Sequence, residues 1–160
     1  MIDHGYQLAY KAAYRLMRVY WKVRRPDTHG ALVAIWHQGR ILLVKNSYVP
    51  YHSLPGGYVK ATETARQAAL RELKEEIGLV GVQEQALLPG VDVVHHWEGK
   101  TDHVEIFRLE VDAAPHVQVD NREVVSAAFY TPEEALKMWL FPPIARHIRD
   151  RMVEQGKSAR

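Results

Sequence analysis

Three glutamates lie close together in a segment that is patterned as a helix. Glu72, Glu75 and Glu76 have the spacing i, i+3 and i+4, which places their carboxylates on one strip of a helix about 100° wide. Like charges at this spacing destabilise a helix, and the repulsion grows when the helix is partly buried. Oxygen donors of this kind suit Mg²⁺ or Mn²⁺, which commonly join protein carboxylates to substrate phosphates. The pattern favours a divalent-metal site, and the alternative is a solvated helix face on which Arg71 and Glu75 form an ordinary pair.

The helix that carries this cluster is predicted over residues 64–76. Thr64 and Gln67 have the spacing of a capping box, which closes the first turn of a helix. Gly78 follows the last turn, where glycine commonly ends a helix in the left-handed conformation. The apolar positions of this helix are predicted to face the core, and they are Ala69, Leu73 and Ile77.

The segment over residues 57–79 resembles the signature motif of the Nudix hydrolases, G-x5-E-x7-R-E-U-x-E-E-x-G-U, in which U is an aliphatic residue. Every defined position is filled, by Gly57, Glu63, Arg71, Glu72, Leu73, Glu75, Glu76, Gly78 and Leu79. At average residue frequencies such a match arises by chance on the order of once in a billion starting positions. The similarity extends over residues 27–141, and Lys60 and Thr62 stand where the family often has an acidic residue and glycine.

The resemblance implies a divalent-metal-dependent hydrolase that cleaves the diphosphate linkage of a nucleoside diphosphate joined to another group X. Mg²⁺ is the expected cofactor and Mn²⁺ the alternative. The implied metal ligands are Glu72, Glu75, Glu76 and the carbonyl oxygen of Gly57, with that of Gly56 as an alternative. Glu63 and Arg71 are expected to be structural, their opposite charges bracing the loop against the helix.

The resemblance also suggests the catalytic residues, which are Glu72, Glu75 and Glu123. Glu72 and Glu123 are both candidates for the general base, and Glu75 is expected to support Glu72. Glu123 comes just before a predicted strand, where some relatives have a fourth carboxylate; the alternative is a solvated loop acid. Glu105 is a weaker candidate, because it alternates with apolar residues on a strand and can point to solvent.

Substrate contacts are predicted from charge and ring chemistry. Arg40, Lys45 and Lys60 are candidate phosphate contacts. The aromatic side chains that could stack on a nucleobase, or lie in the core or rim instead, are Tyr48, Tyr51, His52 and Trp97. Sequence signatures of NADH, coenzyme A and ADP-ribose hydrolases are not evident in the chain. The remaining candidate substrates are small nucleotides or RNA. They are nucleoside triphosphates, nucleotide sugars, and capped or triphosphorylated RNA ends.

The elements that must position these residues are predicted from apolar runs and turn residues. We expect a helix over 5–25, a hairpin over 31–45, a strand pair over 86–97 and 103–111, a strand over 124–130, a helix opening at 131–134 and a short last helix from 142. Strands and helices interleave without a regular βαβ repeat, which predicts an α/β (α+β) fold with a mixed β-sheet. The resemblance implies a Nudix-type α/β/α sandwich with an added N-terminal amphipathic helix.

The N-terminal helix is expected to be a separate unit over residues 1–26, followed by a Nudix domain over 27–160. Residues 1–26 hold six basic residues and one acid, and 27–160 hold fifteen basic and eighteen acidic residues, so the net charge of +2 divides into +5 and −3. The predicted apolar stripe contains Tyr6, Tyr10, Ala13, Leu16, Met17, Tyr20 and Trp21, and the basic stripe opposite it contains Lys11, Arg15, Arg18, Lys22 and Arg25. The hypotheses for this helix are packing against the domain, contact with an anionic membrane or RNA, and formation of a homodimer.

Composition narrows the function classes. The chain has 160 residues, 47% of them apolar, and no cysteine, which excludes disulfide scaffolds, zinc-thiolate sites and thiol nucleophiles. We find no candidate membrane span or signal peptide and expect a cytoplasmic protein. The rival to an enzyme is a binding module with the Nudix fold that senses a nucleotide or binds nucleic acid without hydrolysis. The complete set of motif glutamates favours the enzyme.

Overall fold

The structure is a computed structural model that describes residues 2–158. In chain order the elements are α1 (Ile2–Arg24), β1 (Asp27–His37), β2 (Arg40–Asn46), β3 (His52–Ser53), β4 (Gly56–Tyr58), α2 (Ala65–Ile77), β5 (Leu88–Trp97), β6 (Lys100–Glu110), β7 (Val124–Tyr130), α3 (Pro132–Ala135) and α4 (Pro142–Ser158). A short 3₁₀ turn, Glu84–Ala86, precedes β5. Met1, Ala159 and Arg160, which belong to the two predicted units, lie outside the described residues.

The sheet is mixed, as predicted, and β1 is its central strand. β1 pairs in parallel with β6 along most of its length. On its other side β1 pairs antiparallel with β4 near its start and with β2 at its end. Both predicted hairpins are present: β1–β2 turns at Gln38 and Gly39, and β5–β6 turns at Glu98 and Gly99, all with positive φ. Two central residues with positive φ match the right-handed twist of the flanking strands.

Two apolar cores lie on opposite faces of the sheet, which confirms the α/β/α sandwich. The core beneath α2 is built from Ala31, Val33, Ile35, Leu42, Val44, Ala68, Ala69, Leu73, Ile77, Leu87, Phe107, Leu109 and Val124. The core beneath α3 and α4 is built from Leu32, Ala34, Trp36, Ile41, Leu43, Leu54, Val104, Ile106, Ala135, Leu140, Phe141, Ile144 and Ile148. Successive strand residues alternate between the two lists because side chains of a strand point to opposite faces.

The helix boundaries agree with the predicted caps, with one correction. Thr64 caps α2 through a complete capping box with Gln67, and Gly78 ends it in the left-handed conformation. The last helix is not short: α4 has 17 residues and continues through Gly156. Ile144 and Ile148 are fully buried against the sheet, and Met152 packs against the same core one turn before Gly156, which stabilises the helix up to the predicted fraying point.

Helix α1 packs against the domain along a face that coincides only in part with the predicted stripe. Trp21 is buried, whereas Tyr20 is 50% and Leu16 72% exposed. The inward face instead centres on Tyr14, which was not part of the predicted stripe, together with Tyr10. A second apolar row on the helix, which includes Leu16, makes the periodicity ambiguous, so pattern alone could not select the packed side. No helix within residues 2–158 is both long and apolar enough to cross a membrane.

Candidate active site

Two consecutive glycines bring the backbone of β4 against β1 and α2. Gly56 has φ of 144°, and a Cβ at this residue would lie 2.7 Å from the Cα of Leu32 and still closer to the carbonyl oxygen of Ala31. A Cβ at Gly57 would lie 2.5 Å from a carboxylate oxygen of Glu72. Only glycine fits at the first position, because a side chain would meet strand backbone there, whereas a side chain at the second position would displace the Glu72 carboxylate.

Glu76 is a buried carboxylate at the centre of the site. Its residue is 6% exposed, and one oxygen accepts a hydrogen bond from the backbone N–H of Gly56 at 2.8 Å. The side-chain amide of Asn46 donates to the other oxygen at 3.5 Å. The pKa of Glu76 is raised to about 8, chiefly by burial and also by the negative charges of Glu72 and Glu123, while the two hydrogen bonds act in the opposite direction. The negative charge at this position therefore lacks a compensating cation among the described side chains.

Arg71 joins the loop after β4 to the start of the carboxylate strip. Its Nη2 and Nε donate to both oxygens of Glu63, at 2.7 and 3.1 Å, and Nη2 also donates to the carbonyl oxygen of Tyr58 at 3.0 Å. Its Nη1 contacts Glu72 at 2.5 Å and Glu75 at 3.1 Å. These hydrogen bonds lower the pKa of the Glu63 carboxyl to about 2. One guanidinium thus holds both the loop and the helix in a fixed relation.

Glu123 reaches the same site from a distant part of the sequence. It lies just before β7, where its backbone N–H donates to Asp120 and its carbonyl oxygen accepts from Ser47. The hydroxyl of Tyr48 donates to a carboxylate oxygen of Glu123 at 2.9 Å. Burial raises the pKa of Glu72, and the charge of Glu123 contributes to that shift, so the two carboxylates interact across the site.

The oxygen chemistry of this site fits a divalent cation. Its carboxylates are Glu72, Glu76 and Glu123, with the half-exposed Glu75 at the rim. Within residues 2–158 no three His, Asp or Glu side chains converge closely enough to form a complete metal cage by themselves. Mg²⁺ is commonly held by one or two protein carboxylates plus substrate phosphates and water rather than by such a cage. The donor set and its excess negative charge therefore suit an ion that arrives together with a phosphorylated substrate.

The predicted phosphate contacts are not brought to this site as a group. Arg40 lies at the opposite end of β2 from Asn46, where it donates to the carbonyl oxygen of Phe129. The ammonium of Lys45 donates to the backbone carbonyl oxygens of Val49 and Tyr51. Lys60 is exposed in the loop that Arg71 braces, and Glu105 is exposed on β6. Lys60 lies in the loop that precedes α2, and Lys45 directly precedes Asn46, which donates to Glu76.

A cavity of about 310 Å³ opens beside the carboxylates. Glu123, Gly56, Gly57 and Asn46 form its carboxylate end. Aromatic rings line the rest of it: Tyr10, Tyr14 and Trp21 from α1, and Tyr48, Tyr51, Tyr58, Trp97 and Phe141 from the domain. The predicted stacking residues Tyr48, Tyr51 and Trp97 are therefore cavity residues. His52 instead donates its backbone N–H to Trp139 and is not part of the lining.

Several polar residues of the cavity were missed by sequence reasoning. Lys100 and Asp102, both buried, form an ion pair, and the ammonium also donates to the hydroxyl of Tyr58 at 2.9 Å. Glu98 accepts a hydrogen bond from Tyr14. Residues 100–102 are three polar residues in a row just before the predicted strand over 103–111, a pattern typical of an exposed turn, so the sequence did not reveal a buried charge pair.

Comparison with known proteins identifies relatives of this chain. The family model described as the NUDIX domain matches residues 26–152. A 52-residue stretch is 48% identical to a Bacillus subtilis protein named as an 8-oxo-dGTP diphosphatase, and covers 32% of this chain and 35% of that protein. A 44-residue stretch is 46% identical to an ADP-ribose pyrophosphatase of Methanocaldococcus jannaschii, and covers 26% of each chain. The matched stretches thus span about a third and a quarter of these relatives.

The fold also has counterparts among solved structures. A C. elegans Ap4A hydrolase, solved as a binary complex, superposes with a TM-score of 0.68 at 22% identity, covering 81% of this chain and 98% of that chain. At this identity the likeness concerns the fold. Helix α1 lies outside the residues that the family model matches.

Proposed function

This chain belongs to the Nudix family, and we propose that it is a divalent-metal-dependent pyrophosphohydrolase that acts on a nucleoside diphosphate joined to another group X. The reaction adds water across one P–O–P bridge and gives two phosphorylated products. The relatives named for 8-oxo-dGTP and ADP-ribose support a nucleotide substrate. Mg²⁺ is the proposed ion, with Mn²⁺ as the alternative, because the donors are hard oxygens.

The observation that carries the proposal is the buried carboxylate of Glu76 beside Glu72 and Glu123. Burial raises the pKa of Glu76, and repulsion from Glu72 and Glu123 within the same site adds to that shift. Such repulsion lowers the stability of the fold. Clusters of this kind are typical of sites at which the charges bind a ligand. A divalent cation supplies the positive charge that these carboxylates lack. The phosphorylated substrate that binds with it fills the adjoining cavity.

The residues of the site have different proposed roles, which follow from their positions. Glu76 and Glu72, with Glu75 at the rim and the Gly57 carbonyl oxygen, would hold the divalent ion. A bound ion supplies charge neutralisation of the phosphate oxygens and lowers the pKa of a coordinated water. Glu123 is the proposed general base, because it faces the α2 carboxylates and is oriented by Tyr48.

Arg71 has a positioning role in this scheme. It holds one oxygen of Glu72 and braces the loop through Glu63. Its guanidinium therefore fixes where the Glu72 carboxylate lies relative to the Gly57 backbone. Asn46 and the Gly56 N–H do the same for Glu76. These contacts keep the site in one geometry before the substrate arrives.

The proposal is tested by product analysis with the full chain. Purified protein is incubated with Mg²⁺ or Mn²⁺ and with 8-oxo-dGTP, dGTP, ADP-ribose, diadenosine tetraphosphate, a nucleotide sugar and 5′-triphosphorylated RNA, and the products are separated by ion-exchange chromatography. We expect cleavage of a diphosphate bridge in at least one of them, abolished by EDTA. The matched variants are Glu76→Gln and Glu133→Gln, because Glu133 is an exposed carboxylate on α3.

The outcomes separate the enzyme from its rival. Loss of turnover in Glu76→Gln with wild-type turnover in Glu133→Gln supports the proposal. Nucleotide binding by wild-type protein without hydrolysis of any compound with either ion would instead support the nucleotide-sensing module. The cytoplasmic location, homodimer formation and contact of α1 with a membrane or RNA stay predictions, as do the unit boundaries at residues 26 and 27.

A further inference from the structure

Helix α1 crosses the cavity although it lies outside the matched residues 26–152. Its lining residues are Tyr10, Ala13, Tyr14, Met17 and Trp21, which share one face of the helix. The opposite face is solvent-exposed, with Leu8 66% and Leu16 72% exposed. The helix therefore contributes one wall of the cavity while burying little of its own surface.

Both ends of α1 are held by loops that border the cavity. Near its start, the Gln7 amide donates to the carbonyl oxygen of Asn121 at 2.7 Å, and Arg122 donates to Asp3 at 3.2 Å. These contacts lie next to Glu123 in sequence.

The second anchor of α1 is the turn between β5 and β6. Arg18 and Tyr14 both bind Glu98, the former at 3.2 Å. A Cβ at Gly99 would lie 3.0 Å from the Cα of Lys22, so the turn and the helix backbone are in close contact. The helix thus bridges the Glu123 loop and the β5–β6 turn across the mouth of the cavity.

The rings of α1 face rings of the domain. Tyr10 stacks on Tyr48 with 5.9 Å between centroids and 20° between planes, and Tyr14 lies 5.2 Å from the same ring. Trp21 contacts the edge of Tyr14 at 5.9 Å. Aromatic walls of this kind favour flat, polarisable ligands that stack on or edge against them.

The floor of the cavity carries a buried pair of opposite charges. Lys100 is 7% and Asp102 5% exposed, and they pair with each other. The Lys100 ammonium also lies 4.7 Å from the Trp21 ring centroid. A ring with nitrogen and oxygen atoms at its edge can contact both the aromatic walls and this charge pair, whereas an alkyl chain satisfies the walls alone.

Tyr48 connects the two ends of the cavity. Its ring contacts Tyr10 and Tyr14, and its hydroxyl donates to Glu123. A ligand ring at the α1 wall is therefore one tyrosine away from the carboxylate that faces the diphosphate. This continuity favours a nucleotide whose base lies against α1 and whose phosphates lie at α2.

We propose that α1 is the base-recognition wall of the active site, and that Tyr10, Tyr14 and Trp21 contact the heterocyclic base of the substrate. This inference rests on the proposed function, since it places the base relative to the diphosphate. It makes an element outside the matched domain a determinant of substrate specificity. The exposed outer face of α1 has no part in it.

The experiment measures binding rather than turnover, so that it does not depend on hydrolysis. Isothermal titration calorimetry of the full chain with Mg²⁺ uses the four common nucleoside monophosphates as base-bearing probes and inorganic pyrophosphate as the probe without a base. The variants are Tyr14→Ala, Tyr10→Ala and Met17→Ala. Leu16→Ala is the matched control, because Leu16 lies on the same helix and faces solvent.

We expect wild-type protein to bind at least one nucleoside monophosphate, and the tyrosine variants to weaken that binding about tenfold, in line with loss of a stacked ring. Met17→Ala should weaken it about threefold by loss of an apolar contact. Pyrophosphate affinity should change by less than about twofold in every variant, and Leu16→Ala should match the wild type. Circular dichroism checks that the helix is retained. Tyr14→Phe keeps the ring and removes only the bond to Glu98, so it should keep base affinity within about threefold.

Three results would overturn the inference. They are unchanged nucleotide affinity in all three cavity variants, equal loss for nucleotide and pyrophosphate, and absence of nucleoside monophosphate binding by the wild type. Failure of the proposed function looks different, because it shows as intact base binding without cleavage of any diphosphate.

Discussion

The carboxylate end and the aromatic end of the cavity are held together in different ways. At the carboxylate end, Arg71 alone contacts Glu63, Glu72, Glu75 and the backbone of Tyr58, and α2 packs on a fully buried face. At the aromatic end, α1 has one buried aromatic residue, Trp21, and is otherwise held by the ring contacts of Tyr10 and Tyr14 and by a few polar contacts along its length. The first region is a braced site and the second is a lightly held wall.

This difference indicates how the two regions should respond to substitution. Changes at the braced site displace groups that have no alternative position, and should alter turnover or the fold itself. Changes at the wall remove contact area from a helix that is already largely exposed, and should alter affinity with little effect on stability.

Gly56→Ala should cause the largest effect, because the new Cβ would meet strand backbone near Ala31 and Leu32. We expect loss of several kcal/mol in the free energy of unfolding, or failure to fold, measured by chemical denaturation. Gly81→Ala is the matched control: Gly81 also has positive φ, of 79°, but no atom within 4 Å of the added Cβ. It should lose about 1–2 kcal/mol from backbone strain alone. Equal losses in the two variants would refute the tight contact between β4 and β1.

Glu123→Gln should lower kcat at least tenfold if this residue is the general base, while the amide keeps the size of the side chain. The hydrogen bond from Tyr48 should persist, so nucleotide affinity should stay near that of the wild type. Steady-state kinetics with the substrate found in the product screen checks this. Unchanged kcat would remove Glu123 from the chemistry and leave Glu72 as the candidate base.

Glu76 should make the stability of the metal-free protein depend on pH. Its pKa is raised on folding from an ordinary 4.5 to about 8, so the folded state binds the proton more tightly than the unfolded state. The resulting stabilisation is full below about pH 4.5 and is lost as the pH rises through 8. The free energy of unfolding in EDTA, measured at pH 5, 7 and 9, should therefore fall more in the wild type than in Glu76→Gln. Parallel pH profiles would contradict the burial of this charge.

Arg71→Lys should have the mildest effect at the braced site. Lysine keeps the charge but cannot bind both oxygens of Glu63 and the Tyr58 carbonyl oxygen together. We expect a loss of about 1 kcal/mol in the free energy of unfolding and a moderate fall in kcat, because the Glu72 carboxylate is less well oriented. Arg40→Lys is the control, since Arg40 lies at the far end of β2. A similar loss of kcat in both variants would exclude a positioning role for Arg71.

The carboxylate end could be predicted from the sequence more completely than the aromatic end, because its main contacts are local. Glu72 and Glu76 are neighbours on one helix turn, and their spacing alone places them together. The cap at Thr64 and the turns at Gly39 and Gly99 are also local, and the structure has them where they were predicted. The mixed sheet with helices on both faces followed from the order of these elements.

The wall could not be predicted in the same way, because its parts meet only after folding. Tyr14 and Glu98 are 84 residues apart, and their contact depends on where α1 lies on the domain. The apolar pattern of α1 fits two faces, and the predicted stripe included Leu16, which faces solvent. Arg40 was grouped with the phosphate contacts by charge, although the direction of β2 carries it to the other end of the sheet.

The central claim is that chemistry and recognition are separate functions of the two ends of one cavity. The most direct test measures both in one variant: turnover of the substrate found in the product screen, and calorimetric affinity for its nucleoside monophosphate, in Glu76→Gln. We predict that turnover falls at least a hundredfold while that affinity stays within about threefold of the wild type. Turnover retained in Glu76→Gln, or affinity lost together with turnover, would contradict the account.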